Sequence, residues 1–255
     1  MTEKYITCII QARINSSRLP KKALKKINGM PSICHVIDRV KKSKKIKKII
    51  LATTNNKEDS ILLKIAKEKN ILGFAGSEND VLERFYQTAI THNADPIIRI
   101  TGDCPLIDHK IIDEIIDFFL SHKFDYVSNT IFPTYPDGQD VEIFSFRTLK
   151  HVHDNAKWKS EREHVTPYIE KNPKKFKIFN YTHNSDLSSL RWCLDDELDL
   201  KFIRAIYKKM TPKNIFSIYD ILKILKKYPS LTTINCDLKR NSSYFSLLKK
   251  DIITK

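Results

Sequence analysis

Across the first 130 residues, short apolar runs alternate with longer segments whose apolar positions recur every three to four residues. Residues 5–10 form a β-rich apolar run, as expected of a strand covered on both faces. Residues 46–53, 71–75, 96–101 and 125–129 repeat the signal. Between them lie segments of helical period. Residues 31–43 open on Pro31, which suits a first turn, and 57–70 carry Ile61, Leu62, Ile65 and Ala66 on one face. Residues 80–92 and 108–123 complete the set. This alternation predicts an α/β fold with a mostly parallel sheet covered on both faces. In such sheets ligands sit beyond the C-terminal strand ends, which selects loops 11–22, 53–56, 75–80 and 101–108.

The pattern loosens after residue 130. Residues 132–138 are turn material and 141–146 read as a strand. Helices are predicted over 148–157 and 162–171, strands over 176–181 and 190–194, and helices over 197–210 and 217–227. The tail beyond Pro229 reads as irregular. With no repeat, low-complexity stretch or Gly/Ser linker, the simplest organisation is one domain over residues 1–230. A β/α excursion at about 131–183 would serve the acceptor or dimerisation, and 231–255 would pack on the same domain.

Composition narrows the class. The chain has 255 residues, 41% of them hydrophobic, enough for one large core. No run approaches the ~18 apolar residues of a membrane span. No cleavage-type sequence follows the first apolar run, so a cytoplasmic protein is expected. Five cysteines (Cys8, Cys34, Cys104, Cys193 and Cys236) without metal-ligand spacing predict indifferent thiols in a reducing compartment. The net charge is +15, and residues 1–50 hold 14 Lys or Arg against two acids, Glu3 and Asp38. Such a surface attracts polyphosphates, nucleic acid or anionic membrane, while the paired lysines of 41–48 read as a solvated face. Neither an RNP-type aromatic strand nor zinc-finger spacing accompanies the charge, so nucleic acid is not an expected partner.

Three motifs carry candidate chemistry. The loop Gln11-Ala-Arg-Ile-Asn-Ser-Ser-Arg-Leu-Pro-Lys-Lys22 sets Arg13, Arg18, Lys21, Lys22 and two hydroxyls just past the first strand. Its backbone amides and cations suit phosphates, although the P-loop pattern is absent. In Arg99-Ile-Thr-Gly-Asp-Cys-Pro-Leu-Ile-Asp108, Asp103 follows a strand and can hold a hard cation, while Asp108 reads as a helix N-cap. In Leu190-Arg-Trp-Cys-Leu-Asp-Asp196, one acid can cap the next helix while the other, Asp195, points into the site. Asp103 and Asp195 would then form a two-carboxylate metal pair. Trp192 reads as core, with Arg191 beside it facing the other way. His35 reads as packing.

Together these motifs resemble the CMP-sugar synthetase superfamily, most closely its SpsF branch, the spore coat polysaccharide cytidylyltransferases. The likeness runs through Ala52-Thr-Thr54, Gly76-Ser-Glu78, Asp80-Val-Leu82, Tyr135-Pro-Asp-Gly138, Asp140-Val-Glu142, Ser160-Glu-Arg-Glu-His-Val-Thr-Pro167, Lys239-Arg-Asn241 and Tyr244. It implies a Rossmann-like, three-layer nucleotidyltransferase fold, CTP as donor, Mg²⁺ as cofactor and a homodimer. Carried over by residue, Arg13, Ser16 and Lys22 meet the triphosphate, Ala52, Thr53 and Ser77 lie near base and ribose, and Gln11, Ala12 and Asp80 complete the nucleotide-binding set. Arg13, Lys22 and Asp103 act in catalysis, and Asp103 and Asp195 hold the metal. Tyr135, Asp140, Glu142, Arg162, Glu163, His164 and Arg191 face an anionic or neutral sugar acceptor. The chain departs from the family at Asn15 and Lys21, where Gly is usual, and at Asp195-Asp196-Glu197 in place of Asp-Thr-Pro.

The implied reaction is in-line attack of an acceptor oxygen on the α-phosphorus of CTP, with loss of pyrophosphate. Positioning and charge neutralisation do most of the work in such a step. The competing expectation is a glycosyltransferase of similar α/β build that uses an NDP-sugar. The basic loop from Arg13 to Lys22 argues against it, because it suits a triphosphate.

Overall fold

The computed structural model describes residues 6–254; Tyr5, at the predicted start of the first strand, lies outside the described residues. In chain order the sheet strands are β1 (Ile6–Gln11), β4 (Ile46–Thr54), β5 (Leu72–Gly76), β6 (Ile97–Thr101), β7 (Tyr126–Ser128), β8 (Glu142–Phe144) and β9 (Ile178–Asn180). Their spatial order is β5-β4-β1-β6-β8-β7-β9. β1 is parallel to β4 and β6, and β4 to β5. β8 runs antiparallel to both β6 and β7, and β9 is parallel to β7. One reversed strand in a parallel sheet of seven is the mostly parallel architecture predicted.

Successive strand residues point to opposite faces, and two cores result. Cys8, Ile10, Leu51, Ile98, Ile100 and Ile143 pack with α1 (Ser32–Val40), α4 (His109–Ser121), α8 (Glu197–Met210) and α9 (Ile218–Lys227). Ile9, Ile50, Ala52, Ile97 and Phe144 pack with α3 (Val81–Thr91), α5 (Phe146–Asn155) and α7 (Pro167–Glu170). Both faces are therefore covered, and the fold is a three-layer α/β nucleotidyltransferase fold.

Capping explains several helix starts. Asp80, Asp108 and Ser145 accept from Glu83, Lys110 and Thr148 backbone amides, and Asp196 and Ser217 close capping boxes on α8 and α9. Asp196 is thus the cap that the double carboxylate predicted.

The structure differs from the sequence pattern in five places. Pro31 is not helical: it ends a two-stranded hairpin, β2 (Lys26–Ile27) and β3 (Met30–Pro31), turned by Asn28 (φ 44) and Gly29 (φ 81). An Asn-Gly pair with both φ positive is the favoured hairpin turn. Ile61, assigned to the buried face of α2 (Ser60–Glu68), is 37% exposed. The helix expected over 162–171 is two pieces, α6 (Lys159–His164) and α7, broken at Val165 (φ 72) ahead of Pro167. Residues 190–194 form no strand. Arg191 makes a single bridge to Asp137, and the amides of Trp192 and Leu194 bond to the Asp137 and Asp103 carbonyls. Finally, the tail holds a helix, α10 (Ser242–Leu248).

Candidate active site

A cavity of about 380 Å³ opens at the C-terminal ends of β1 and β6, where the parallel-sheet rule places ligands. Loops 11–22 and 101–108 contribute to its wall; loops 53–56 and 75–80 do not, and α3 lends Val81 and Arg84 instead. Thr54 is used structurally: its hydroxyl bonds to Asp59, whose other oxygen accepts the Ile14 amide at 2.6 Å. Ile14 and Leu19 are buried anchors under the basic loop.

That loop delivers Lys22 to the first turn of a short 3-10 helix, where the Ser32 hydroxyl donates to its carbonyl. The loop's positive φ falls on Lys21 (φ 56), not on Asn15. Lys21 is exposed and Lys22 turns into the cavity. Lys22 Nζ lies 2.6 Å from Asp103 Oδ2 and 2.7 Å from Asp195 Oδ1, so residues far apart in sequence converge on one point. Burial alone would lower the lysine's pKa, but the two carboxylates outweigh it and hold the ammonium charged. Burial likewise opposes ionisation of Asp103, yet Lys22 draws its pKa down to about 2.

Asp195 is fixed from behind. Arg191 grips Asp199 with two bonds of 2.9 Å, Asp137 at 2.8 Å, and Asp195 Oδ2 at 3.4 Å. Asp199 Oδ2 also accepts the Asp195 and Asp196 amides at 3.0 Å. Gly138 lets this web close: it has φ +98, and a Cβ there would sit 2.6 Å from the Cys193 nitrogen. Arg191 therefore positions Asp195 and does not line the cavity, contrary to its assignment to the acceptor. Trp192 is core, as expected, and His35 packs on Tyr207 while its Nε2 meets the Ile27 carbonyl.

The cavity wall carries two sets of charged residues. Its cations include Arg13, Arg18, Lys22 and Arg84, with Ala12 and Ser16 on the same wall, and Gln11 Oε1 accepts from Arg99 Nε at 3.1 Å. Burial and the neighbouring Arg13 lower the Arg84 pKa to about 10, and its buried Nε has no partner. That orphaned donor suits an anion. Arg18 reaches Asp195 at 2.8 Å and the Ser242 hydroxyl at 2.8 Å.

The second set, Asp140, Glu142, Glu163, Glu170, Arg99 and His164, lines the same cavity. Arg99 pairs with Glu142, whose other oxygen accepts from Tyr126 and Thr166. Arg240 from the tail pairs with Asp140 at 2.6 Å. Burial still pushes the Asp140 carboxyl up to about 7 and the Glu170 carboxyl to about 7. His164 stands edge-on to Tyr244, and burial with nearby Arg99 lowers its pKa to about 4.

Several expected contacts lie elsewhere. Ala52 and Thr53 are buried in β4 and outside the cavity wall. Ser77 and Asp80 form the α3 cap: the Asp80 amide donates to the Ser77 hydroxyl, and Asp80 Oδ2 takes Arg162 at 2.6 Å. Arg162 is thereby turned away from the acceptor end, and Tyr135 is buried against His183. The sequence reading missed Arg84, Arg99, Asp137, Glu170 and Asp199. Asp137 stood inside Tyr-Pro-Asp-Gly, and Asp199 at the fourth position of a capping box, so both had a usable signal.

A three-layer α/β nucleotidyltransferase with a phosphate-suited loop facing two carboxylates is the class these features define. The chain belongs to the cytidylyltransferase family, whose pattern it matches over residues 7–240. An uncharacterised protein of Methanocaldococcus jannaschii is 38% identical over 238 residues, 92% of this chain and 96% of that one. The spore coat polysaccharide biosynthesis protein SpsF of Bacillus subtilis is 27% identical, covering 89% of this chain and 97% of its own. A solved cytidylyltransferase structure from Leptospira borgpetersenii superposes with a TM-score of 0.87 at 32% identity, over 93% of this chain and 99% of that one. Among the described residues no helix is long and apolar enough to cross a membrane.

Proposed function

We propose that this protein transfers CMP from CTP to a hydroxyl of a sugar, sugar acid or sugar phosphate, releasing pyrophosphate, in the assembly of a surface polysaccharide or glycan. One observation carries the reading: Lys22, Asp103 and Asp195 meet at one point on the wall of a cavity that Arg13, Arg18 and Arg84 also line. The acceptor oxygen forms the new bond to the α-phosphorus, the bond to the bridging oxygen breaks, and the hydroxyl proton passes to solvent or a cavity carboxylate. Arg13, Arg18 and Arg84 neutralise the triphosphate, and Lys22 adds charge beside it.

The donor set suits Mg²⁺, since Asp103 is held ionised and a phosphate-bound magnesium takes one or two carboxylates. When bound, the ion would neutralise charge on the leaving pyrophosphate. The remaining work belongs to the chain: Arg191 and Asp199 hold Asp195 in place, and the carboxylate end with neutral His164 receives the acceptor. A cytoplasmic location belongs to the same reading. A homodimer belongs to the same reading, supported by Phe132, 74% exposed in the 131–183 segment; sedimentation tests it.

Incubation with each NTP, Mg²⁺ and a panel of neutral, acidic and phosphorylated sugars, scored by pyrophosphate, tests the activity. CTP-specific release with one acceptor class supports the proposal. Release with no nucleotide, alongside turnover of an intact NDP-sugar, would establish the glycosyltransferase instead.

A further inference from the structure

The two carboxylates assigned to the metal are already neutralised from within the chain. Lys22 Nζ lies between Asp103 Oδ2 at 2.6 Å and Asp195 Oδ1 at 2.7 Å. The second oxygen of Asp195 faces Arg18 at 2.8 Å and Arg191 at 3.4 Å. These groups are partly buried, with side-chain exposures of 21% for Lys22, 24% for Asp103 and 19% for Asp195, so salt screens them little. Among the described residues no group of three or more His, Cys, Asp or Glu forms that could hold a metal ion. A bare cation would have to displace an ammonium and would find two protein carboxylates, with water for the rest of its shell.

A triphosphate changes both conditions. Its oxygens offer Lys22 and Arg18 a new anionic partner in a cavity whose wall also carries Arg13 and Arg84. They also supply ligands the protein lacks.

We infer that Lys22 closes the two-aspartate site to a bare divalent cation, so that the cation and the nucleotide triphosphate enter together. The inference rests on the metal reading proposed above. Lys22 then has two positions, one on the aspartates in the free protein and one on phosphate in the loaded site. By linkage the coupling is reciprocal: whatever factor CTP adds to metal affinity, the metal adds to CTP affinity.

The test uses Mn²⁺ as the probe and electron paramagnetic resonance to count free ion. Full-length protein is titrated without nucleotide, with CTP and with cytidine, after subtraction of Mn²⁺ bound to CTP in solution. CTP should tighten Mn²⁺ binding by about tenfold or more, and cytidine, lacking phosphate, should not. Lys22→Met should bind bare Mn²⁺ at least about tenfold more tightly than wild type and gain thermal stability from it, whereas the wild-type Tm stays unmoved. Lys22→Arg should keep the closure. The reciprocal titration, CTP into wild type with and without Mn²⁺, needs no variant and should show the same factor. Equal Mn²⁺ affinity with and without CTP, or no gain in Lys22→Met, overturns the closure while leaving the metal assignment standing. Absence of protein-bound Mn²⁺ even with CTP overturns both.

Discussion

Lys22 donates to Asp103 across 81 positions of sequence, with Nζ 2.6 Å from Oδ2. The contact joins the loop after β1 to the loop after β6, the two central parallel strands. Its consequence is that the Asp103 pKa is drawn down to about 2, so the carboxylate is ionised at neutral pH. Asp103→Ala should lower kcat by about 100-fold or more, the scale seen when one preorganised charge-stabilising group is removed. The fold should persist, because Lys22 keeps Asp195 at 2.7 Å and the Asp103 carbonyl still accepts the Leu194 amide. Mg²⁺-dependent pyrophosphate release, with circular dichroism as the fold control, checks this; full activity in the variant would remove Asp103 from the chemistry.

Arg191 illustrates a residue whose importance sequence made visible but whose task it concealed. The sequence marks it as the polar neighbour of a core tryptophan, facing away from it. The structure buries it among Asp137, Asp195 and Asp199. Arg191→Met leaves Asp199, fully buried, without its cation, and Asp137 with Arg240 alone at 3.9 Å. Breaking a buried pair in this way costs about 3–5 kcal/mol. Urea denaturation should show that loss. In whatever fraction folds, kcat should fall more than KM for CTP rises, because Asp195 loses its support. A loss below 1 kcal/mol would show that the web is better solvated than its burial indicates.

What was legible follows a physical division. Strands covered on both faces leave continuous apolar runs, and amphipathic helices leave a period, so β1, β4 to β7 and all four helices between them could be placed. The caps Asp108 and Asp196 were legible because each sits where a loop hands over to a helix, and cap chemistry is local; Asp103 stands out by its place just past a strand end. Arg84, Asp137 and Asp199 were harder. Their partners are chosen by tertiary contact, and Arg84 lies within an ordinary helical stretch. Residues 190–194 misled because an apolar run reads as a strand whether its amides find a neighbouring strand or, as here, the carbonyls of Asp137 and Asp103.

Lys21 is a place where the chain works against its own backbone. The residue has φ 56 and ψ 33, a left-handed conformation that costs an L side chain about 1–2 kcal/mol. Its side chain is exposed and does not line the cavity. Lys21→Gly should therefore stabilise the protein by up to about 1 kcal/mol, part of the gain being offset by the freer unfolded chain. Turnover and KM for CTP should be unchanged. A several-fold rise in KM would instead give Lys21 a phosphate contact of its own.

His164 provides a pH signature. Burial, with Arg99 nearby, lowers its pKa from 6.5 to about 4. The folded protein then binds fewer protons at this site than the unfolded chain between those values. The resulting stability is complete above pH 6.5 and is lost as pH falls toward 4. Asp140 and Glu170, both raised to about 7, act with the opposite sign, so the wild-type curve alone does not isolate the histidine. His164→Gln does: relative to wild type it should gain about 1–2 kcal/mol between pH 7 and pH 5, a range reduced for partial solvent access. In the wild type, the His164 ring resonances should not titrate between pH 7 and pH 5. A midpoint near 6.5 would mean that the imidazole carries charge in the site, and the acceptor end would then be less acidic than its lining carboxylates make it.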